Sequence, residues 1–279
     1  MFEIDDVSLD EFAKIKVIGV GSDGLKAINH MIDSALKGVE FLVLDTDAQK
    51  LNSSKATDKI LIDSDTLEKI SETLDGFDII FFVAGLDNSP AANFTSKVAE
   101  FAEMNDALKI ATLVRYDDTS DKILSELEWN VDALISIPRD AEQNVEKFFT
   151  EIVRIISDLI AVPGLVNLDL RDVQSIMSNA GKTVICFGEA TGEKATADAV
   201  KATVDSSLSE MKLKGAHGIL LNITAATDLL SMRTVKEACE ILQESTHPDA
   251  EIIWGVRVND SLGDKVSVTI IATKFDYET

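Results

Sequence analysis

Apolar residues along this chain fall into short continuous runs, separated by segments in which they recur every three or four positions. The runs at 14–19, 40–45, 59–62, 78–85, 107–116 and 133–138 predict strands. The run DIIFFVAG, apolar after its first residue and closed by Gly85, has the composition of a central strand buried on both faces. The periodic segments at 24–37 and 65–75 predict helices, the second opening at an Asp cap. Strands alternating with helices predict an α/β fold with a doubly wound, Rossmann-like parallel sheet.

Residues 141–160 carry Val145, Phe148, Phe149, Ile152, Ile155, Ile156, Leu159 and Ile160 at three- and four-residue steps. So wide an apolar stripe predicts a long helix buried on more than one side, lying between two units and ended by Pro163-Gly164. Beyond it the pattern predicts helices at 171–179, 194–209 and 229–244, and strands at 182–189, 216–223, 251–258 and 265–275. The chain therefore divides into a first α/β unit over 1–140, a core helix over 141–162 and a second α/β unit over 163–279.

The candidate chemistry starts at residues 15–29, IKVIGVGSDGLKAIN, where a strand runs into a Gly-containing turn that opens a helix. A helix N-terminus offers unpaired N–H groups and a positive dipole end, so this is the architecture of a phosphate cradle. Gly19, Gly21 and Gly24 have the dinucleotide-fingerprint spacing, and Asp45 closes the next strand about 20 residues on. Lys26 suits an anion there; Asp23 opposes one.

Composition narrows the partners. Forty-nine acidic residues against 26 basic ones leave a net charge of −23, which repels nucleic acid and anionic membrane. No run approaches the ~20 apolar residues of a membrane span. The acidic N-terminus lacks a signal-peptide pattern, and Cys186 and Cys239 have no CxxC spacing, so a cytoplasmic protein with buried free thiols is expected. His30, His217 and His247 show no metal-ligand spacing, and no metal site is expected. Trp129 and Trp254 read as packing residues.

Several stretches resemble the tubulin superfamily, and within it the FtsZ cell-division proteins. They are IKVIGVG, NHMIDSALKGVEFLVLDTDAQKLNSSKA, ISDLIAVPGLVNLDLRDVQSIMSNAG, GILLNITAATDL and HPDAEIIWGVRVNDSLGDKVSVTIIAT, in the family's order. The resemblance implies a GTPase-type domain, a core helix and a C-terminal activation domain. It also implies head-to-tail filaments in which one subunit's synergy loop meets its neighbour's nucleotide. Asn167, Asp169 and Asp172 match that loop's N-x-D-x-x-D pattern and would be the catalytic residues, polarising the attacking water on a neighbouring subunit. Read from spacing alone, Asn167 and Asp169 instead cap the helix that follows.

The nucleotide side departs from the family. Its first phosphate loop is nearly all glycine; here it reads Gly21-Ser22-Asp23-Gly24-Leu25-Lys26. The Gly/Thr-rich second loop is replaced by Leu86-Asp87-Asn88-Ser89-Pro90-Ala91-Ala92-Asn93, without a glycine, a poor source for a nest of N–H groups. The loop over the γ-phosphate, expected between Ile62 and Asp65, is deleted, and the segment leading into the core helix is shortened. YDDTSD replaces the ribose-contacting stretch, and Arg139 and Lys147 fall near guanine-contacting positions. The nucleotide-binding remnant is Gly19, Gly21, Gly24, Lys26, Asp45 and Asp47.

The expectation is an FtsZ-like cytoskeletal or cell-division protein that has lost ordinary GTP binding and needs no cofactor. It would act as a nucleotide-independent filament subunit, or cap and modulate FtsZ filaments through its synergy-loop face. Its partners would be itself, head to tail, or an authentic FtsZ, with no nucleic acid and no direct membrane binding. The alternative is an active, polymerising GTPase with a remodelled pocket holding GTP and Mg²⁺. A third reading, dinucleotide binding, rests on the glycine fingerprint alone.

Overall fold

β1 (Ile15–Val20) and β4 (Ile79–Leu86) are buried at every position and pair in parallel, Gly19 opposite Val83. They form the centre of a computed structural model that describes residues 13–276 apart from 64–65, 88–89, 103–105, 118, 140–143, 162–164, 167, 193 and 206–212. With β2 (Val39–Asp45), β3 (Asp58–Leu61), β5 (Leu108–Arg115), β6 (Ala133–Pro138) and the two-residue β7 (Gly181–Lys182), they build a seven-stranded parallel sheet. Its order is β3-β2-β1-β4-β5-β6-β7. The order reverses at β1, so the crevice beyond the carboxyl ends of β1 and β4 is where such sheets hold ligands.

Side chains alternate across the sheet. Val17, Phe81 and Val83 face α1 (Gly21–Asp33) and the core helix α6 (Val145–Ala161), while Ile18, Val20, Ile80 and Phe82 join Ile70, Leu74, Val98 and Ala99 on the other side. Those last four belong to α3 (Thr66–Leu74) and α4 (Pro90–Ala102); α2 (Ala48–Ser53) and α5 (Asp121–Asn130) complete this half. Lys16, polar within β1, is 3% exposed and is satisfied by Glu40 and Asp58 at 3.2 and 3.1 Å.

The second half holds α7 (Leu170–Met177), α8 (Ala195–Asp205), α9 (Met232–Ser245) and a four-stranded sheet. Its strands are β8 (Val184–Thr191), β9 (Ala216–Ala225), β10 (Glu251–Val258) and β11 (Lys265–Phe275), in the order β10-β9-β11-β8. The apolar cluster around Phe149, Ile152 and Ile156 of α6 continues through Ile176 of α7 to Leu220 and Ile271 of this sheet. The stripe on α6 therefore serves both halves. Phe149 is fully buried, and its truncation to Ala would cost about 3–5 kcal/mol.

The observed elements shift the expected ones in places with a local cause. Helix α1 starts at Gly21 rather than 24 and stops at Asp33, where Ala35 (φ 51) and Gly38 (φ 75) turn the chain. Helix α9 starts at Met232 because Ser231 and Thr234 cap it reciprocally. The expected strand at 182–189 is two: β7 pairs with β6 in the first sheet, and β8 belongs to the second. Trp129 is 87% exposed at the end of α5 and is no packing residue; Trp254 does pack, partly buried, on the second sheet's cluster. Cys186 is buried, its thiol pushed up to about 11 by desolvation, and desolvation also raises Cys239, as expected of unreactive thiols.

Candidate functional site

The fingerprint glycines have packing reasons of their own. A Cβ on Gly24 would lie 2.4 Å from the Val83 carbonyl oxygen, and one on Gly19 would lie 2.6 Å from the Gly24 oxygen. Both residues let α1 lie directly against β1 and β4. Gly21 has φ 71, a conformation glycine adopts at little cost, and it turns the strand into the helix within one residue. The turn leaves no intervening loop, because Val20 ends β1 and Gly21 begins α1.

Asp23 lies in the first turn of α1, at the positive end of its dipole. Its side chain is 17% exposed and reaches the carboxyl end of β4, where a Cβ on Gly85 would be 2.2 Å from Oδ2. The Tyr116 hydroxyl donates to the same oxygen at 2.5 Å, and Lys26 Nζ stands 3.4 Å from Oδ1. A carboxylate of the chain itself thus occupies the switch point, with a phenol and an ammonium as its partners.

Tyr116 is placed by the turn after β5. Its backbone N–H donates to Thr119 Oγ1 at 2.8 Å, and that hydroxyl donates to the Leu86 carbonyl at 2.7 Å, tying the turn to the end of β4. Burial, then the hydrogen bond and negative charge of Asp23, push the phenol up to about 12, partly offset by Arg139. Arg139, which the resemblance puts near a guanine-contacting position, thus lies within electrostatic reach of the phenol.

The remnant residues farther along the rim have structural partners too. Asp45 is 2% exposed; its Oδ1 accepts from the Asp47 N–H at 2.9 Å, and Asp47 caps α2 by accepting from the Gln49 N–H at 2.8 Å. Lys50 Nζ donates to Ser22 Oγ at 2.8 Å, tying α2 to the first turn of α1. Among the described residues, Asp45 Oδ2 and Arg115 Nε are buried polar atoms without a hydrogen-bond partner, each costing about 1–3 kcal/mol if left dry.

The segment after β4 is mostly not a loop. Leu86 still belongs to β4, and Pro90 opens α4, a position where its missing N–H costs nothing. Residues 88–89 lie outside the described residues, as do residues 64–65 where the γ-phosphate loop would fall.

On the acidic pair the structure realises the capping geometry. Asp169 Oδ1 accepts from the Asp172 N–H, and Asp172 Oδ2 accepts from the Asp169 N–H, both at 2.9 Å. This capping box opens α7 and leaves one oxygen of each carboxylate outside it. Asn167 lies outside the described residues. The preceding segment is clamped to β10: the Leu165 N–H donates to the Val256 carbonyl at 2.8 Å, and Val166 pairs with Val256. Leu165 and Val166 remain 63% and 38% exposed. A cleft of about 250 Å³ lies alongside, between α6 and the second sheet, lined by Arg154, Asp158, Val166, Asn222 and Arg257.

Sequence reasoning named Asp23 and Lys26 but missed that Tyr116 closes on Asp23; the sole sequence signal was a polar-tipped aromatic at a strand's carboxyl end. It also missed that His217 and His247 meet, their rings stacked at 3.9 Å.

Comparison with known proteins is consistent across both halves. Residues 181–276 match the model of the FtsZ family, C-terminal domain. The chain is similar to an FtsZ dimer, empty, from M. jannaschii, with 25% identity and a TM-score of 0.81 over 95% of this chain and 89% of that one. It also shares its fold with CetZ from Methanosaeta thermophila strain DSM 6194, at 14% identity and a TM-score of 0.76 over 95% and 88%. A third similar structure is CetZ2 from Haloferax volcanii, described as a GTPgS bound protofilament, at 14% identity and a TM-score of 0.72 over 95% and 94%.

Proposed function

We propose that this chain, a divergent tubulin/FtsZ-like protein, is a cytoskeletal subunit that works without bound GTP. It assembles with itself head to tail or modulates FtsZ filaments through the face that carries Asp169 and Asp172. The FtsZ and CetZ2 structures it resembles are described as a dimer and a protofilament, which supports self-association here.

The observation that carries this reading is the Asp23 carboxylate, held beside Gly85 by Tyr116 at the switch point. A phosphate arriving at the N-terminus of α1 would meet a fixed negative charge already paired with the local ammonium. The absence of a glycine-rich segment after β4 removes a second source of N–H donors. As arranged, these residues do not fit a triphosphate. Among the described residues no helix is long and apolar enough to cross a membrane.

Isothermal titration of nucleotide-free protein with GTP and Mg²⁺, alongside sedimentation without nucleotide, tests the reading. Silence up to millimolar GTP with sedimenting assemblies, or co-sedimentation with FtsZ that Asp169→Ala plus Asp172→Ala abolishes, is expected. Micromolar GTP binding overturns it.

The second reading, a GTPase with a remodelled pocket, draws on Lys26 beside the helix N-terminus and on the unpartnered Asp45 Oδ2 and Arg115 Nε. Phosphate release that Lys26→Ala abolishes would favour it.

A further inference from the structure

Two of the chain's three histidines come together at the edge of the second sheet, 30 positions apart in sequence. His217 lies at the start of β9, His247 in the turn after α9, and Asp276 just past the end of β11. The imidazole rings stack at 3.9 Å with 28° between their planes, and His217 Nε2 is 2.8 Å from Asp276 Oδ1. One ligand atom from each of the three residues lies within 4.8 Å of the others.

The backbone fixes all three. The His247 N–H donates to the Ala216 carbonyl at 3.2 Å, and the Asp276 N–H donates to the Gly215 carbonyl at 3.3 Å. Both anchors sit within two residues of His217. Gly215, at φ 90, makes the turn, and a Cβ there would lie 3.6 Å from Asp276 Oδ2. Lys274, two residues before Asp276, is turned elsewhere: its Nζ donates to the Ser175 carbonyl at 2.6 Å.

We propose that His217, His247 and Asp276 form a binding site for a divalent transition-metal ion, with zinc the best match. Two neutral imidazoles and one carboxylate are a borderline donor set that suits zinc and not magnesium or calcium. Three protein ligands with water in the fourth position complete a tetrahedron. Ligand atoms around zinc at ~2.1 Å stand roughly 3.3 Å apart, so the spacing here closes by side-chain rotation. His217 and Asp276 have the freedom for it, their side chains being 36% and 65% exposed. His247 Nδ1 accepts from the Asp249 N–H at 3.1 Å. That bond orients the ring and leaves Nδ1 as its bare nitrogen, the atom that would turn from Asp249 to the metal while Nε2 keeps its proton. The ion would staple the start of β9, the turn after α9 and the end of β11 to one another. The site is separate from the Asp23 cluster and stands whether or not a nucleotide binds.

Chelator-treated, dialysed protein is titrated with Zn²⁺ calorimetrically, with Co²⁺ absorption as a second readout. The expected result is one Zn²⁺ per chain, a tetrahedral Co²⁺ spectrum and no response to Mg²⁺. His217→Ala, His247→Ala and Asp276→Asn should each weaken Zn²⁺ by more than the roughly 10–100-fold typical of outer-shell substitutions. His30→Ala should bind as wild type does. Circular dichroism confirms that the variants fold. The proposal is overturned if wild type takes up no stoichiometric Zn²⁺, or if His217→Ala or His247→Ala leaves affinity unchanged. Full affinity in Asp276→Asn overturns it as well, leaving a surface histidine pair rather than a three-ligand site.

Discussion

The Tyr116 hydroxyl reaches the Asp23 carboxylate at 2.5 Å across 93 positions of sequence. It joins the turn after β5 to the first turn of α1 at the place where this sheet type receives its ligand. A hydrogen bond to a charged acceptor contributes about 1.5–3 kcal/mol, toward the low end where solvent reaches it. Tyr116→Phe should therefore lower unfolding stability by about 1–2 kcal/mol in urea at neutral pH.

Burial of the phenol, and then this contact, set a pH dependence. The folded phenol titrates near 12 against an ordinary 10, so between these values the unfolded chain binds fewer protons than the folded one. The stabilisation is complete below about pH 10 and is lost as pH rises through 12. The chain has two tyrosines, so Tyr277→Phe leaves Tyr116 as the sole phenol, and tyrosinate absorbance of that variant should show the late titration. Adding Asp23→Asn should move it only part of the way back toward 10, because burial remains.

Gly85 and Asp23 are sterically coupled. Gly85→Ala brings a Cβ within 2.2 Å of Asp23 Oδ2 and should cost about 1–3 kcal/mol. In an Asp23→Ala background the obstructing carboxylate is gone and only the Cβ of residue 23 remains, at 3.1 Å, so the same change should cost clearly less. Gly24→Ala meets the Val83 backbone instead, so Asp23→Ala should not rescue it. A double-mutant cycle measured by urea unfolding separates the two cases.

Asp169 has a cap to keep as well as a carboxylate to offer. Asp169→Ala removes the acceptor for the Asp172 N–H and should cost about 0.5–2 kcal/mol. Asp169→Asn keeps a cap of equal quality without the charge. If the carboxylate acts on a docked FtsZ neighbour, Asp169→Asn should retain full stability in urea while losing any stimulation of that neighbour's phosphate release. Equal stimulation by Asp169→Asn would dismiss the catalytic role and leave the cap.

The layered architecture was legible because burial writes it directly into the sequence. Runs such as DIIFFVAG cannot face water on either side, and the stripe on α6 is too wide for one neighbour. The same pattern misled at Trp129, since an aromatic on a short helix says nothing of which way that helix faces. The Asp23–Tyr116 contact and the His217–His247 stack were illegible for another reason. Each joins elements whose approach is decided by sheet order and turns, and no spacing along the chain encodes it. The acidic pair was legible in part: its spacing suits a cap and a water-polarising site equally, and the geometry realises the first without consuming both oxygens of either carboxylate.

Gly19 and Gly24 hold α1 against β1 and β4 by direct backbone contact. The scaffold itself therefore requires both glycines, whether or not a ligand binds, and replacing either costs stability before it touches any chemistry. A glycine fingerprint at such a turn reports how the scaffold packs, and what the crevice binds is decided by the side chains that line it.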